Sequence, residues 1–216
     1  MTSPKAASHF DYVQYGCGWS APEGWLNFDS SPTLWFERLA LLGSMYTRNR
    51  TRFPPNVRYG DIVKGLPVPE GACEAVYCSH VLEHLALEDC RTALLNTFRI
   101  IKPGGEFRLV MPDLEHLARD YLAERSVGSA PRFMQDSGLG RERRSRSLGQ
   151  LLISAIGNSA HLWMWDFASL EAELIAAGFT GVRRAVLGDS GQAKFNEVEN
   201  PQRWADCLGV HCRKPG

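Results

Sequence analysis

Two short stretches hold residues whose types and spacing suit chemistry. The first, YGCGWSAPEGWLNFD, runs from Tyr15 to Asp29: one apolar run ends in glycines flanking Cys17, and a second ends in an acid. The second, SHVLEH, sets Ser79, His80, Glu83 and His84 directly behind another apolar run. Gly16 and Gly18 let a backbone approach a ligand closely, because no Cβ intervenes. A carboxylate at Asp29 can accept hydrogen bonds from both hydroxyls of a ribose. A dinucleotide fingerprint would need a third glycine, where Ala21 stands, and a helix before an acid about 20 residues on. Between Gly18 and Asp29 there is no room for that helix. A nucleoside ligand without phosphate asks for less, since a helix N-terminus is chiefly an anion site.

Further along, Asp61 follows a third apolar run and can accept from an adenine amino group, with Ile62 beside it for the ring. Four residues qualify as a general base for a hydroxyl nucleophile: His80, His84, Asp113 and His161. Histidine, with an ordinary pKa of about 6.5, suits that task near neutral pH. His80 follows its strand most directly. His161 opens HLWMWD beyond an irregular segment, and Asp113 also suits a helix N-cap. Glu83 adds a carboxylate to the same pocket.

These residues need strands and helices in alternation to position them. Apolar runs predict strands at Tyr12–Tyr15, Trp25–Phe28, Val57–Ile62, Ala75–Cys78, Glu106–Met111, Gly181–Leu187 and Ala205–Cys212. Ser31 and Pro32 open a helix running to Leu42. The spacing of Leu87, Cys90, Leu94, Phe98 and Ile101 predicts another, ended by KPGG. Asp113 and Asp166 each begin one more, the last running through Ala177. The alternation predicts an α/β fold with helices on both sheet faces. Residues 125–160 dissolve into Gly, Ser and Arg, which predicts a lid or substrate-side insertion in a single domain spanning 1–216.

Composition narrows the function classes. A chain of 216 residues with 44% apolar content suits one domain with a sizeable core. Lys plus Arg equals Asp plus Glu at 24 each, so no net field draws it to nucleic acid or anionic membrane. MTSPKAASHF lacks the apolar run of a signal peptide, and no later run has the length of a membrane span. Six cysteines without a CxxC pair predict buried reduced thiols and a cytoplasmic protein. The basic run RERRSR (141–146) suits an anionic partner, but without interleaved aromatics it is a poor nucleic-acid motif.

Taken together, VQYGCG, GWLNFD, LPVPEGACEAVYCSHVLEHL and FRIIKPGGEFRLVMPDLE resemble the class I S-adenosylmethionine-dependent methyltransferases. The nearest likeness is to a branch of predicted methyltransferases of the type-11 kind, and HLWMWDFASLEAELIAAGF resembles that branch's ending. The resemblance implies a Rossmann-like seven-stranded sheet, mostly parallel, whose last strand is antiparallel. It implies S-adenosylmethionine as cofactor, with Gly16, Cys17 and Gly18 facing the methionyl part. Asp29 would then meet the ribose, Asp61 and Ile62 the adenine, and Ser79 and His80 the sulfonium. Gln14 and Tyr15 stand where an acid is usual, and WSAPEG stands where a helix is usual. The implied activity is methyl transfer to an oxygen or nitrogen of a small-molecule or glycan-type acceptor, with His80, His161 and Asp113 as catalytic candidates. A cofactor-binding protein without transferase activity is the alternative; a nicotinamide oxidoreductase is disfavoured by the missing third glycine.

Overall fold

The computed structural model describes residues 11–38, 52–140 and 160–216. Seven strands, β1 (Tyr12–Tyr15), β2 (Leu26–Asp29), β3 (Val57–Tyr59), β4 (Cys73–Ser79), β5 (Ile101–Pro112), β6 (Thr180–Ala185) and β7 (Cys207–Arg213), form one sheet. Their order is β3-β2-β1-β4-β5-β7-β6. Pairs from β3 through β5 are parallel, whereas β7 runs antiparallel to both β5 and β6. This is the Rossmann-like sheet with an antiparallel last strand that the sequence predicts.

The helices are α1 (Pro32–Glu37), α2 (Leu87–Ile100), α3 (Leu114–Glu124), α4 (Ser129–Asp136), α5 (Phe167–Ala176) and α6 (Pro201–Trp204). Two 3-10 turns join them, at Leu82–His84 and Ala193–Glu197. Their starts follow the local chemistry. Ser31 caps α1, Asp113 caps α3, and Asp166 with Ser169 closes a reciprocal capping box on α5. The third strand stops at Tyr59, short of Ile62, because Asp61 Oδ1 accepts from Val63 N and turns the chain. KPGG lies inside β5 rather than between elements. Of the proposed lid, residues 125–140 hold α4, packed on α3 through Tyr121 and Phe133. RERRSR, the stretch LGQLLISAIG and the end of the expected first helix lie outside the described residues.

Strand alternation divides the core between two faces. On one face Val13, Tyr15, Phe28, Val76, Phe107, Leu109 and Val210 pack under α2 and α5. The other face presents Ala75, Tyr77 and Val110, and its cover is different. There Trp25 from the WSAPEG turn meets Phe195, Val198 and Trp204 from the segment between β6 and β7. Within that segment Phe195, Val198 and Trp204 are buried. No helix among the described residues is long and apolar enough to cross a membrane. All six cysteines are free thiols. Burial pushes those of Cys17, Cys73 and Cys90 up to about 12, which removes them as nucleophiles.

His211, buried on β7, gives the fold a pH dependence. Burial, then Arg183, Arg108 and Arg213, pull its pKa down to about 4, against a small opposing pull from Asp189. Glu106 Oε2 lies 3.9 Å from Nε2. The ring is therefore neutral in the fold but takes a proton once unfolded below about pH 6.5. Between these values the unfolded chain binds more protons, so stability falls as pH drops from 6.5 to 4, by something on the order of 3 kcal/mol. Urea titrations across that window should show the slope in the wild type and lose it in His211→Gln.

Candidate active site

The carboxyl ends of β1, β2 and β4 converge on a cleft of about 200 Å³ lined by Gly16, Gly18, Asp29, His80, His84 and Arg203, among others. It lies where the strand order reverses, between β1 and β4, the switch point at which open α/β sheets take ligands. Two larger hollows, between α3 and α4 and between α2 and α5, lie away from those strand ends. The smaller cleft is the one with convergent polar groups from three strands.

The glycine loop is held from both sides. Gly16 has φ +69° and passes so close to the turn after β4 that a Cβ would stand 2.1 Å from Val81 Cγ2. Gly18, at φ +53°, has nothing within 4 Å of the place a Cβ would occupy. One glycine therefore serves close packing, and the other leaves open space beside a backbone amide. Asp29 ties the loop to β2: its Oδ2 accepts from Gly18 N at 2.9 Å and its Oδ1 from Ser31 N at 2.8 Å. Buried Gln14 pins the turn from beneath, donating to Ser20 O and to Asn27 Oδ1. Asn27 in turn donates to Pro22 O and Trp25 O. Where a helix would carry its own hydrogen bonds, two side-chain amides hold WSAPEG in place.

The SHVLEH turn is built around His80. Its backbone is left-handed, at φ +54°, while its N–H donates to Val110 O. The sequence points to this ring as a general base; in the fold both ring nitrogens face partners. Its Nδ1 lies 3.2 Å from Glu83 Oε1, and its Nε2 lies 3.0 Å from Arg203 O. Burial alone pulls its pKa down, but Cys207, Glu83 and the Arg203 carbonyl outweigh it and push the value up to about 9. Its Nε2 is committed to the Arg203 carbonyl, and its Nδ1 faces Glu83 as an ion pair without a hydrogen bond. Beside it, Glu83 is 1% exposed and neither carboxylate oxygen accepts a hydrogen bond.

Arg203 is the residue that sequence reading misses. It sits on α6, whose Asn200 cap and Pro201 give a recognisable helix start within an otherwise polar stretch. Its guanidinium donates to Ser79 Oγ at 2.8 Å and to Ser79 O at 3.0 Å, so Ser79 is buried beneath it at the cleft. The long link from β6 to β7 thus places a positive charge at the ends of the parallel strands. No spacing in the sequence announces that contact, because 124 positions separate the partners.

The other expected residues fall at varying distance from the cleft. Cys17 lends its backbone, since its thiol turns into a cluster with Leu34, Phe53 and Val57. Asp61 follows β3 next to β2, where Gly60 N donates to Asp29 O, but its carboxylate holds Val63 N and Lys64. Ile62 is buried in the main core. Asp113 caps α3, as the sequence predicts, and accepts from Arg184 at 3.2 Å. His161 does arrive at the SHVLEH turn, its ring 4.8 Å from that of His84 in an edge contact.

The family model for a methyltransferase domain matches residues 33–109, from just beyond Asp29 through SHVLEH into β5. Over that span, about a third of the chain, the protein is similar to methyltransferase domains. No curated protein sequence matches it significantly. Among solved structures, it is similar to one from Haloferax volcanii, in the complex of the Trm112 methyltransferase activator with a proposed methyltransferase. That match has 16% identity and TM-score 0.48, covering 95% of this chain and 82% of that one. Phosphoethanolamine N-methyltransferase 2 of Haemonchus contortus matches at 12% identity and TM-score 0.48, over 95% and 48% of the two chains. Human N-acetylserotonin methyltransferase matches at 17% and 0.47, over 95% and 47%. The chain thus spans about half the length of the last two.

Gly18 leaves an unfilled approach to backbone, Asp29 retains lone pairs at the cleft, and Arg203 brings a guanidinium to the same cleft. The two glycines should separate in experiment. Gly18→Ala should cost about 1 kcal/mol of stability through its positive φ and weaken S-adenosylmethionine binding at least tenfold. Gly16→Ala should cost about 2–4 kcal/mol, because strain adds to the Val81 clash. Urea denaturation with calorimetry reads both, and equal stability losses would refute the distinction.

Proposed function

We propose that this protein moves a methyl group from S-adenosylmethionine to an oxygen or nitrogen atom of a small-molecule or glycan-type acceptor. The observation that carries the reading is the convergence of Gly18, Asp29 and the Ser79–His80 turn on one cleft. Gly16 and Gly18 border the methionyl part, with Arg203 toward its carboxylate. Asp29 takes the ribose hydroxyls, and Asp61 with Ile62 forms the adenine side. The cofactor supplies a methyl carbon already activated by positive sulfur, so the chain's task is orientation and exclusion of water. His80 contributes as a positioning residue: paired with Glu83, it holds the turn after β4 in its left-handed geometry.

The acceptor side is the wall formed by SHVLEH and the chain around His161. Half-exposed Trp163 is anchored there, since its backbone N–H donates to Glu83 O, and its ring suits stacking on a sugar or another ring. His84 and His161 each keep one ring nitrogen free of backbone partners, which suits them to take up a proton or another cation.

Calorimetry should show S-adenosylmethionine and its demethylated product binding, and NAD not binding. Asp29→Ala should weaken both sulfur nucleosides tenfold or more, about 1.4 kcal/mol. Transfer of labelled methyl to a panel of hydroxylated and aminated small molecules and glycans then tests the acceptor. Absence of binding to either sulfur nucleoside would sink the proposal. Binding without transfer across the panel would favour a cofactor-binding protein instead.

A further inference from the structure

Glu83, His84 and His161 converge although 76 positions separate the second from the neighbourhood of the third. A ligand-type atom from each lies within 4.8 Å of the others. Three features of this cluster are unusual for ordinary packing. The Glu83 carboxylate is buried and accepts no hydrogen bond at either oxygen; the nearest ring nitrogens are His80 Nδ1 at 3.2 Å and His84 Nε2 at 4.0 Å. Both histidines commit Nδ1 to backbone carbonyls, His84 to Ala160 O at 3.1 Å and His161 to Ser137 O at 2.6 Å. Such bonds place the proton on Nδ1 and leave Nε2 as a lone-pair donor, which is how metal-binding histidines are oriented by their surroundings.

The scaffold around the cluster is specific as well. Leu162 N and Trp163 N both donate to Glu83 O, fastening the His161 segment directly to the carboxylate's own residue. Gly138, at φ +66°, gives way to the His161 ring, where a Cβ would stand 2.5 Å from Nδ1. His84 also lines the cofactor cleft, so the cluster borders the place where an acceptor would enter.

We propose that Glu83, His84 and His161 form a binding site for a divalent cation of the zinc type. Two imidazoles and one carboxylate suit borderline-soft first-row metals better than magnesium or calcium, which favour all-oxygen sets. Ligand atoms around tetrahedral zinc stand roughly 3.4 Å apart, given bonds of about 2.0–2.1 Å. The three ligand atoms, within 4.8 Å of one another, would have to draw closer to hold the ion. Three protein ligands leave a coordination position open, as in catalytic rather than structural sites. Resting on the methyl-transfer reading, an alcohol or phenol acceptor bound at the open position would lose its hydroxyl proton to solvent more readily, and its oxygen would take the methyl carbon as the C–S bond breaks and the thioether leaves.

The test uses the full chain, freed of metal by chelation, then titrated with zinc, and with cobalt as a visible-spectrum probe. One equivalent of zinc should bind the wild type, and cobalt should give the intense absorption of a low-coordinate site. Glu83→Gln, His84→Ala and His161→Ala should each weaken zinc at least tenfold, with thermal melts reporting that the variants fold. His116→Ala, in a histidine paired with Asp120 and Asp206 on α3, should bind zinc like the wild type. No stoichiometric zinc binding, or equal binding in folded Glu83 and His variants, overturns the site. S-adenosylmethionine binding is measured separately on the same metal-free protein. If the nucleoside binds and zinc does not, the methyltransferase reading stands and this one falls; the converse result leaves the metal site standing alone.

Discussion

Much of this structure hangs on one buried charge. Arg108 projects from strand β5 onto the sheet face covered by the link between β6 and β7, and it is fully buried. Its guanidinium meets Glu199, Asp189 Oδ1 at 2.8 Å and Val186 O at 2.7 Å, and lies 4.6 Å from the Trp204 ring centroid. A charge taken out of water is costly unless paired and hydrogen-bonded, so the partners are as obligatory as the arginine. All of them belong to the link between β6 and β7. Asp189 is held charged on its side: burial opposes ionisation, but Arg183, the Val186 backbone and Arg108 bring its pKa down to about 2.

That anchoring explains how the cleft survives without the helix usual after the first strand. The β6–β7 link lies over the exposed face, bringing Phe195 and Trp204 against Trp25, Tyr77 and Val110. Trp204 donates to Tyr77 OH and sits where Gly209 gives up its side chain. Immediately before it in the chain, Arg203 reaches Ser79, and its carbonyl meets His80. The same short helix therefore covers the core and furnishes one wall of the site. The WSAPEG turn completes the cover, pinned by Gln14 and Asn27. Gln14 occupies the position where the family usually has an acid, and here its amide sets the loop geometry.

Several elements are legible in the chain because their causes are local. The GCG turn, the acid ending β2, the caps at Ser31, Asp113 and Asp166, and the stripe along α2 depend on neighbours a few residues away. The adjacent residues of SHVLEH are likewise visible as candidates for chemistry. Their roles are not. In the sequence nothing shows that Arg203 O meets His80 Nε2, that Glu83 faces its Nδ1, or that Arg184 donates to Asp113.

The amino-acid sequence by itself determined the alternation of strands and helices, the resemblance to methyltransferases, and the glycine and acid positions of the cleft. Those follow from side-chain period, capping and backbone freedom, which act over a turn or two. The tertiary structure alone decided that Arg203 stands beside Ser79, that Glu83 is buried without a hydrogen bond, and that His161 joins His84. These depend on burial and on contacts between segments far apart in the chain. The free energy of a carboxylate or imidazole is set by what surrounds it, and spacing along a sequence does not record that.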